Sequence, residues 1–304
     1  MPGRFDVKVR IGVGVTGAVA SGDPEAFGAV VDGLERLGFD SLWVAERAGG
    51  PALDPVVAMT FAAARTTRLK FGPSVMVLPG RNPVLLAKTM ASLDRISNGR
   101  LLPAFGLGTA DAAEHQAFGV ARMDRAAWFN EALPLMRRLW TEDVVEHHGP
   151  RFSLDGARVG VKPVQVPLDV WMGGIAPSEL RRVGRLSDGW LPSFVTPDDV
   201  RDGIAAIKQH ADEAGREIDP EHYGALLTYA DGPLPDRLLE MIKLRQPDKN
   251  PDDLVAPDRR ELRSRIEAFI EAGASKFVVM PLGEPADWEE EIGALADDLL
   301  ALQG

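Results

Sequence analysis

The segment between Leu69 and Gly108 constrains the fold of this 304-residue chain more than any other part of the sequence. It reads LKFGPSVMVLPGRNPVLLAKTMASLDRISNGRLLPAFGLG, which is an apolar β-rich run, a helical pattern and a second apolar run. Gly72, Pro73 and Ser74 interrupt the first run, and such an interruption inside a strand marks a bulge or the close approach of another group. The segment therefore predicts a strand–helix–strand unit with a ligand near the first strand.

The helical part of this segment has defined ends. Asn82 and Pro83 supply an N-cap and a first-turn proline, and Asn98-Gly99 supplies a stop. Four apolar side chains share one predicted buried face, namely Leu85, Leu86, Met90 and Leu93. The second apolar run ends in two glycines, Gly106 and Gly108, which would let a ligand lie close to the backbone.

The same unit recurs along the chain. Helix starts with a capping side chain before a proline occur at Asp23-Pro24, Asp54-Pro55, Asn82-Pro83 and Thr196-Pro197. Eight strands are predicted, at Val9–Val15, Asp40–Ala45, Leu69–Leu78, Leu101–Leu107, Leu168–Met172, Gly189–Pro192, Tyr223–Tyr229 and Lys276–Pro281. Trp43 and Trp190 lie in two of these strands and are expected in the core.

Eight strands alternating with helices predict a closed (β/α)8 TIM barrel with its ligand site at the C-terminal ends of the strands. We expect a single domain over residues 1–304. Two segments interrupt the alternation of strands and helices, and we expect them to be insertions. Residues 143–167 read as a hairpin, and residues 231–257, rich in proline and aspartate, read as a mobile loop or lid.

Composition excludes several classes of function. The net charge is −11 and the 34 lysines and arginines are scattered, which argues against nucleic acid or an anionic membrane as partner. The chain has no cysteine, and its five histidines form no zinc-binding motif, so no metal site is expected. No run approaches the length of a membrane span and no signal peptide is evident, so a cytoplasmic location is expected.

Several motifs together resemble the luciferase-like family, the flavin- and deazaflavin-dependent oxidoreductases related to bacterial luciferase. They are GFDSLWVA from Gly38, SV at Ser74, NPVLLAK from Asn82, SNGRLLPAFGLG from Ser97, KPVQ from Lys162, VWMGG from Val170 and SDGW from Ser187. The resemblance runs almost from end to end. It implies a (β/α)8 barrel, coenzyme F420 or FMN as cofactor, and by analogy a homodimer.

Three loops are candidates for binding that cofactor. Gly173, Gly174, Ile175 and Ala176 follow a strand and open a helix, so their backbone N–H groups could hold a phosphate, although a tight turn alone would also explain the glycines. The resemblance implies a cis peptide and a ring-supporting bulge at Ser74, Val75 and Met76. It also implies contact with the cofactor's ribityl chain at Leu107, Gly108 and Thr109.

The chain departs from the family at the end of the second strand. Glu46-Arg47 stands where many deazaflavin-dependent members carry Asp-His. Arginine stays protonated, so Arg47 could bind an anion or orient a substrate but could not act as a general base. Glu46 could carry a proton or could simply pair with an arginine. Glu114 occupies a position that is often acidic in the family.

The resulting expectation is an F420-dependent oxidoreductase that transfers hydride between the deazaflavin and a small organic substrate. An FMN-dependent monooxygenase that uses oxygen is the alternative on the same barrel. The sequence also leaves open a cofactor-free barrel that binds a substrate phosphate, and a non-catalytic flavin-binding barrel. Glu46 and Arg47 are the candidate catalytic residues in the leading interpretation.

Overall fold

A computed structural model describes residues 7–15, 23–109, 111–230 and 232–304, without the side chain of Arg237. The strands in these ranges are β1 Arg10–Val15, β2 Ser41–Val44, β3 Lys70–Pro73, β4 Met76–Val77, β5 Ala104–Gly106, β6 Val145–His148, β7 Ser153–Ala157, β8 Trp171–Met172, β9 Gly189–Trp190, β10 Gly224–Tyr229, β11 Val255–Ala256 and β12 Lys276–Pro281. All eight predicted strands are confirmed, most of them shorter than expected. The third is divided at Ser74, where the sequence predicted a break.

The strands form a closed parallel barrel. One sheet has the order β11-β10-β12-β1-β2-β3, and a second has the order β4-β5-β8-β9. Isolated bridges join the two sheets, at Phe71–Leu101 on one side and at Trp190–Tyr223 and Ser193–Leu226 on the other. The backbone N–H of Leu102 donates to the carbonyl of Phe71 at 2.9 Å across the first junction. The prediction of a (β/α)8 barrel is confirmed.

Large side chains fill the interior of the barrel. Trp43 and Trp171 are almost fully buried and form an interior cluster with Ala104, Leu191 and Val278, among others. Glycines on neighbouring strands make room for the two indoles: a Cβ at Gly72 would lie 2.8 Å from the ring of Trp43. The expectation that Trp43 belongs to the core is therefore confirmed.

Helices surround the barrel. They are α1 Pro24–Leu37, α2 Pro55–Arg65, α3 Pro83–Ile96, α4 Ala112–Phe118, α5 Arg125–Thr141, α6 Pro177–Leu186, α7 Pro197–Glu213, α8 Asp236–Arg245, α9 Pro251–Leu254, α10 Arg259–Glu271 and α11 Trp288–Leu299. Short 3₁₀ helices cover Arg122–Asp124, Pro220–His222 and Leu300–Leu302. The four predicted capping side chains each accept a backbone N–H, at Asp23, Asp54, Asn82 and Thr196.

The buried face predicted for α3 was wrong at one position. Leu86, Met90 and Leu93 are buried against the barrel, whereas Leu85 is 66% exposed. Adjacent residues on a helix are about 100° apart, so Leu85 and Leu86 cannot both lie at the centre of a narrow face. The exposed Leu85 leaves an apolar side chain on the outside of α3.

The two predicted insertions have different structures. Residues 143–167 contain the antiparallel hairpin β6–β7, as expected. Residues 232–257 contain α8, α9 and β11; the expectation of a mobile loop or lid there stays a prediction, and Asp231 lies outside the described residues. Leu238 and Ile242 of α8 pack with Phe194 and Leu254 in a small apolar cluster, which gives this segment a core of its own.

An ion cluster ties together the N-terminal ends of the strands. Lys276 Nζ lies 2.6 Å from one carboxylate oxygen of Asp40, and Lys70 Nζ lies 3.1 Å from the other. Burial alone would raise the pKa of Asp40, but Lys276 and Lys70 outweigh it and hold that pKa well below its ordinary value. This end of the barrel thus joins β12, β2 and β3 through buried charge.

Among the described residues, no helix has the length and the apolar character needed to cross a bilayer.

Candidate active site

Three of the predicted loops leave neighbouring strands at the C-terminal edge of the barrel. Residues 74–76 connect β3 with β4, residues 107–109 follow β5, and residues 173–176 follow β8. Because β4, β5 and β8 are adjacent in one sheet, the three loops come together on one side of the opening. We call this region the barrel mouth. It is where a (β/α)8 barrel carries its ligands.

The loop between β3 and β4 is half-buried and points a side chain into the barrel. The peptide bond between Ser74 and Val75 is cis, as the resemblance implied. The N–H of Ser74 donates to the carbonyl of Val44 at 2.8 Å, which fixes this loop to β2. Val75 packs on the interior cluster, and a Cβ at Gly106 would lie 2.5 Å from its side chain. Val75 of the first candidate loop therefore lies against Gly106, the last residue of β5 before the second candidate loop.

The loop after β5 depends on glycine and on a buried arginine. Gly108 has φ +84°, a conformation that favours glycine. Arg125, which is 2% exposed, donates from Nη1 to the carbonyl of Leu107 at 2.7 Å and lies beneath Gly108. His115 contacts the carbonyl of Thr109 at 2.9 Å. Arg125 and His115 thus fix the path of the loop from below while Gly108 stays exposed.

The loop after β8 is held by two contacts. The indole N–H of Trp190, which is buried, donates to the carbonyl of Gly174 at 2.8 Å. The carboxylate of Glu179 accepts the N–H groups of Ile175 and Ala176, each at 3.0 Å. Glu179 therefore already occupies two of the donors that the sequence assigned to a phosphate. A cofactor phosphate at these donors would have to displace the Glu179 carboxylate.

Glu46 lies at the end of β2, with 6% of its side chain exposed. One carboxylate oxygen accepts the N–H of Val77 at 2.6 Å, and the other pairs with Arg81. Burial raises the pKa of Glu46, and Arg81 and the N–H of Val77 offset only part of that effect. The geometry gives Glu46 a tethering role and also a carboxyl group that protonates more readily than an exposed one.

Arg47 has a different partner from its neighbour. Its Nε lies 3.8 Å from Oε1 of Glu114, with 45% of the arginine side chain exposed and only 6% of the glutamate. Glu114 belongs to α4, after β5, so this ion pair links the segments that follow β2 and β5. The second oxygen of Glu114, Oε2, is buried without a hydrogen-bond partner among the described residues.

Arg81, Arg125 and Glu179 were missed by the sequence interpretation. Glu179 had a readable signal, because it is the third residue of α6 and caps the backbone before it. Arg81 follows the Pro-Gly turn after β4, and no sequence pattern identified it as a residue of the site. Arg125 is a buried arginine whose carbonyl acceptors become neighbours only in the folded barrel.

One group of possible metal ligands lies on the β6–β7 hairpin. Among the described residues, Glu146, His148 and Asp155 bring ligand atoms within 4.8 Å of one another, and all three side chains are exposed. Exposed carboxylates commonly gather in this way without an ion. The expectation that the chain has no metal site remains a prediction.

Comparison with known proteins places the chain in a family. The model of the luciferase-like monooxygenases matches residues 4–300. The chain belongs to the luciferase-like monooxygenase family. The resemblance read from the sequence motifs is thereby confirmed, and so is membership of a family of oxidoreductase enzymes.

Relatives within the luciferase-like family include proteins named for coenzyme F420. The chain is 33% identical over 168 residues to the F420-dependent glucose-6-phosphate dehydrogenase of Kineococcus radiotolerans, a match covering 52% of this chain and 49% of that protein. The chain spans about half the length of the curated relatives it matches.

Solved structures of luciferase-like proteins share the fold. An F420-dependent secondary alcohol dehydrogenase, in complex with an F420–acetone adduct, aligns with a TM-score of 0.80 and 22% identity over 98% of this chain and all of that one. A type II Baeyer–Villiger monooxygenase of Pseudomonas putida with FMN aligns with a TM-score of 0.72 and 19% identity, over 98% and 97%. At these identities the likeness concerns the fold alone.

Proposed function

We propose that this luciferase-like protein transfers hydride between coenzyme F420 and a small organic substrate at the barrel mouth. The observation that carries the proposal is the contact of Val75, in the loop of residues 74–76, with Gly106, which directly precedes the loop of residues 107–109. It lies at the catalytic edge of a (β/α)8 barrel of this family. The F420-dependent relative supports the choice of the deazaflavin. The proposal extends to a homodimer as the assembly.

The residues of the mouth fit a flat ring. Val75 and Gly106 form an apolar surface beside the opening, and Gly108 leaves its own backbone uncovered. A side chain at Gly106 would collide with Val75, so this surface depends on glycine. When bound, the deazaflavin supplies a ring carbon that gives or accepts hydride. The protein's part is to hold one face of the ring and to exclude water from the other.

The polar residues would act on the substrate side. Burial raises the pKa of Glu46, so its carboxyl group is the proposed carrier of the proton that accompanies hydride transfer. Such a proton would have to share an oxygen with Arg81 or Val77. Arg47, half-exposed at the mouth, is the proposed group that orients the substrate.

FMN is the alternative cofactor on the same barrel, with oxygen as the second substrate. The observation that favours it is the Glu46-Arg47 pair, which replaces the Asp-His that many deazaflavin-dependent members carry. The similar fold of the FMN-bound monooxygenase is compatible with this alternative.

The deciding experiment is a fluorescence-quench titration of the purified protein with oxidised F420 and, separately, with FMN. Micromolar binding of F420 alone is the expected result. Tight binding of FMN alone would replace the proposal with the monooxygenase. Failure of both cofactors to bind would contradict the proposal and favour a cofactor-free barrel.

A further inference from the structure

Five charged residues connect the segments that follow β2, β4 and β5. We call them the mouth cluster, and they are Glu46, Arg47, Arg81, Glu114 and Arg125. Glu46 pairs with Arg81, whereas Glu114 contacts Arg47 and also acts electrostatically on Arg125. Three arginines face two glutamates, so the cluster carries one more positive charge than negative charge.

Arg47 is the accessible member of this cluster. Its side chain is 45% exposed, whereas Arg125 is 2% exposed and the side chain of Arg81 is 26% exposed. The contact with Glu114 runs from Nε, at 3.8 Å from Oε1 of the glutamate. Within the part of the chain that the structure describes, the two terminal amino groups of Arg47 have no hydrogen-bond partner. They remain available to a ligand at the mouth.

Glu114 is buried at a cost to stability. It is 5% exposed, and its Oε2 has no hydrogen-bond partner among the described residues; Nη2 of the buried Arg125 has none either. Buried polar atoms are nearly always paired, and an unpaired one destabilises the folded state. Core packing alone therefore does not account for Glu114. Its one ion pair, within the described residues, is with the accessible Arg47.

We propose that Arg47 binds a carboxylate group of the substrate and that Glu114 is a positioning residue for Arg47. The inference rests on the proposed function, which puts the reaction at this mouth. A guanidinium presents a planar pair of N–H donors that matches the two oxygens of a carboxylate, and it stays charged at every physiological pH.

The test compares two probes of the same shape, benzoate and benzamide, which differ in charge. Dissociation constants are measured by ligand-observed NMR, with the protein alone and loaded with whichever cofactor it binds. We expect benzoate to bind about tenfold more tightly than benzamide, as a charge-assisted contact allows. Arg47→Gln should abolish the preference and Arg47→Lys should keep part of it. Arg36→Gln, at an exposed ion pair on α1, is the matched control and should keep all of it.

Glu114→Gln separates positioning from simple electrostatics. Removal of a negative charge by itself would tighten the binding of an anion. Loss of positioning would weaken it, and this is the result we expect. In the double variant with Arg47→Gln, the Glu114 substitution should cause no further loss, because Glu114 acts through Arg47. Tighter benzoate binding by Glu114→Gln would overturn the positioning role.

The outcomes also separate this inference from the proposed function. If the protein binds F420 or FMN but does not prefer benzoate, the carboxylate site is wrong and the proposed function stands. If the protein prefers benzoate through Arg47 and binds neither cofactor, the site stands and the proposed function is wrong. A preference for benzoate that survives Arg47→Gln would also overturn the inference.

Discussion

Glu46 and Arg47 are adjacent in the chain, but each has a different partner. Glu46 turns toward β4, where Arg81 and the backbone of Val77 hold it, and Arg47 reaches Glu114 on α4. Two neighbouring charged residues are thereby prevented from neutralising each other. One becomes a buried carboxyl group and the other a partly exposed cation at the same opening.

Glu46→Gln tests the role of this carboxyl group. We expect turnover to fall by more than cofactor affinity, because the substitution removes the proposed proton carrier but no residue of the proposed ring surface. Burial raises the pKa of Glu46, so the protonated form persists to a higher pH than in an exposed glutamate. The limb of the pH–rate profile that reports this proton should disappear in the variant.

An unchanged pH–rate profile in Glu46→Gln, together with lower stability toward urea, would show that Glu46 only tethers β2 to β4. Glu289→Gln is a suitable control, because Glu289 pairs with Arg36 on the exposed surface. This control should change neither turnover nor the pH profile.

Some residues of the mouth could be predicted from sequence and others could not. The glycines of the loops after β5 and β8 could be placed at the mouth, because they directly follow predicted strands and the C-terminal ends of barrel strands meet there. The role of Arg125 was not predictable. It donates to carbonyl groups 16 and 18 residues away in the sequence, which come near it only in the folded chain. Arg47 and Glu114 stand far apart in the sequence, so their pairing could not be read from spacing.

At the scale of the element, α6 begins at the point where the sequence predicted a phosphate. Gly174 is unsuitable for a test, because its φ is +95° and an added Cβ would lie 2.6 Å from the carboxyl group of Glu179. Any side chain there would disturb the loop itself. Ala176 is exposed, has an ordinary extended conformation and is the N-cap of α6, so it tolerates substitution.

Ala176→Asp should retain the fold and weaken the binding of a cofactor that carries a phosphate. Aspartate is a good N-cap, so stability should stay unchanged or rise by about 0.5 to 1 kcal/mol. The added negative charge would repel the phosphate. The measurements are thermal unfolding and titration with FMN and with riboflavin, which lacks the phosphate.

Ala176→Asn is the matched control, because it supplies a similar cap without charge. It should bind FMN as the parent chain does. Equal weakening of riboflavin and FMN by Ala176→Asp would show that the phosphate lies elsewhere.

The segment of residues 232–257 shows why some elements escape prediction. Its prolines and aspartates favour a loop, yet the aspartates and asparagine stand at helix starts, where Asn250 caps α9. Leu238 and Ile242, one turn apart, provide the apolar side of α8. The average composition of the segment concealed both the capping residue of α9 and the apolar side of α8. The long amphipathic helices, by contrast, were predictable from the helical spacing of their apolar residues alone.

At the scale of the whole molecule, Asp40 holds the N-terminal end of the barrel together through Lys276 and Lys70. Asp40→Asn should lower the free energy of unfolding at pH 7 by about 3 to 5 kcal/mol, because Lys276 would remain buried without its counter-charge. Asp32→Asn is the control: its ion pair with Arg65 is well exposed and should contribute less than about 1 kcal/mol. Urea unfolding measures both.

The same residue predicts part of the acid sensitivity. The pKa of Asp40 is lower in the folded than in the unfolded chain, so its contribution is complete above its unfolded pKa, about 4. That contribution should be lost progressively as the pH falls below this value. Asp40→Asn should remove this part of the pH dependence, and an identical acid slope in both proteins would contradict the assignment.

Leu85 bears on the predicted homodimer. It is 66% exposed on α3, and Val57 is 61% exposed on α2, the neighbouring helix of the early βα units. If these helices pair between two copies, Leu85→Glu should shift the protein from dimer to monomer in sedimentation velocity. Met123→Glu, at an exposed methionine on another surface, should leave the dimer intact.

The two junctions of the barrel that rest on isolated bridges have a consequence for its local opening. Elsewhere the ring is held by continuous ladders, but between β3 and β5 and between β9 and β10 it is held by isolated bridges. The backbone amide hydrogens of residues at these two junctions should exchange with solvent sooner than those of β1 and β12. The junction between β3 and β5 adjoins strands whose ends form the mouth, so an interrupted part of the barrel's hydrogen-bond ladder lies next to the proposed site for cofactor and substrate.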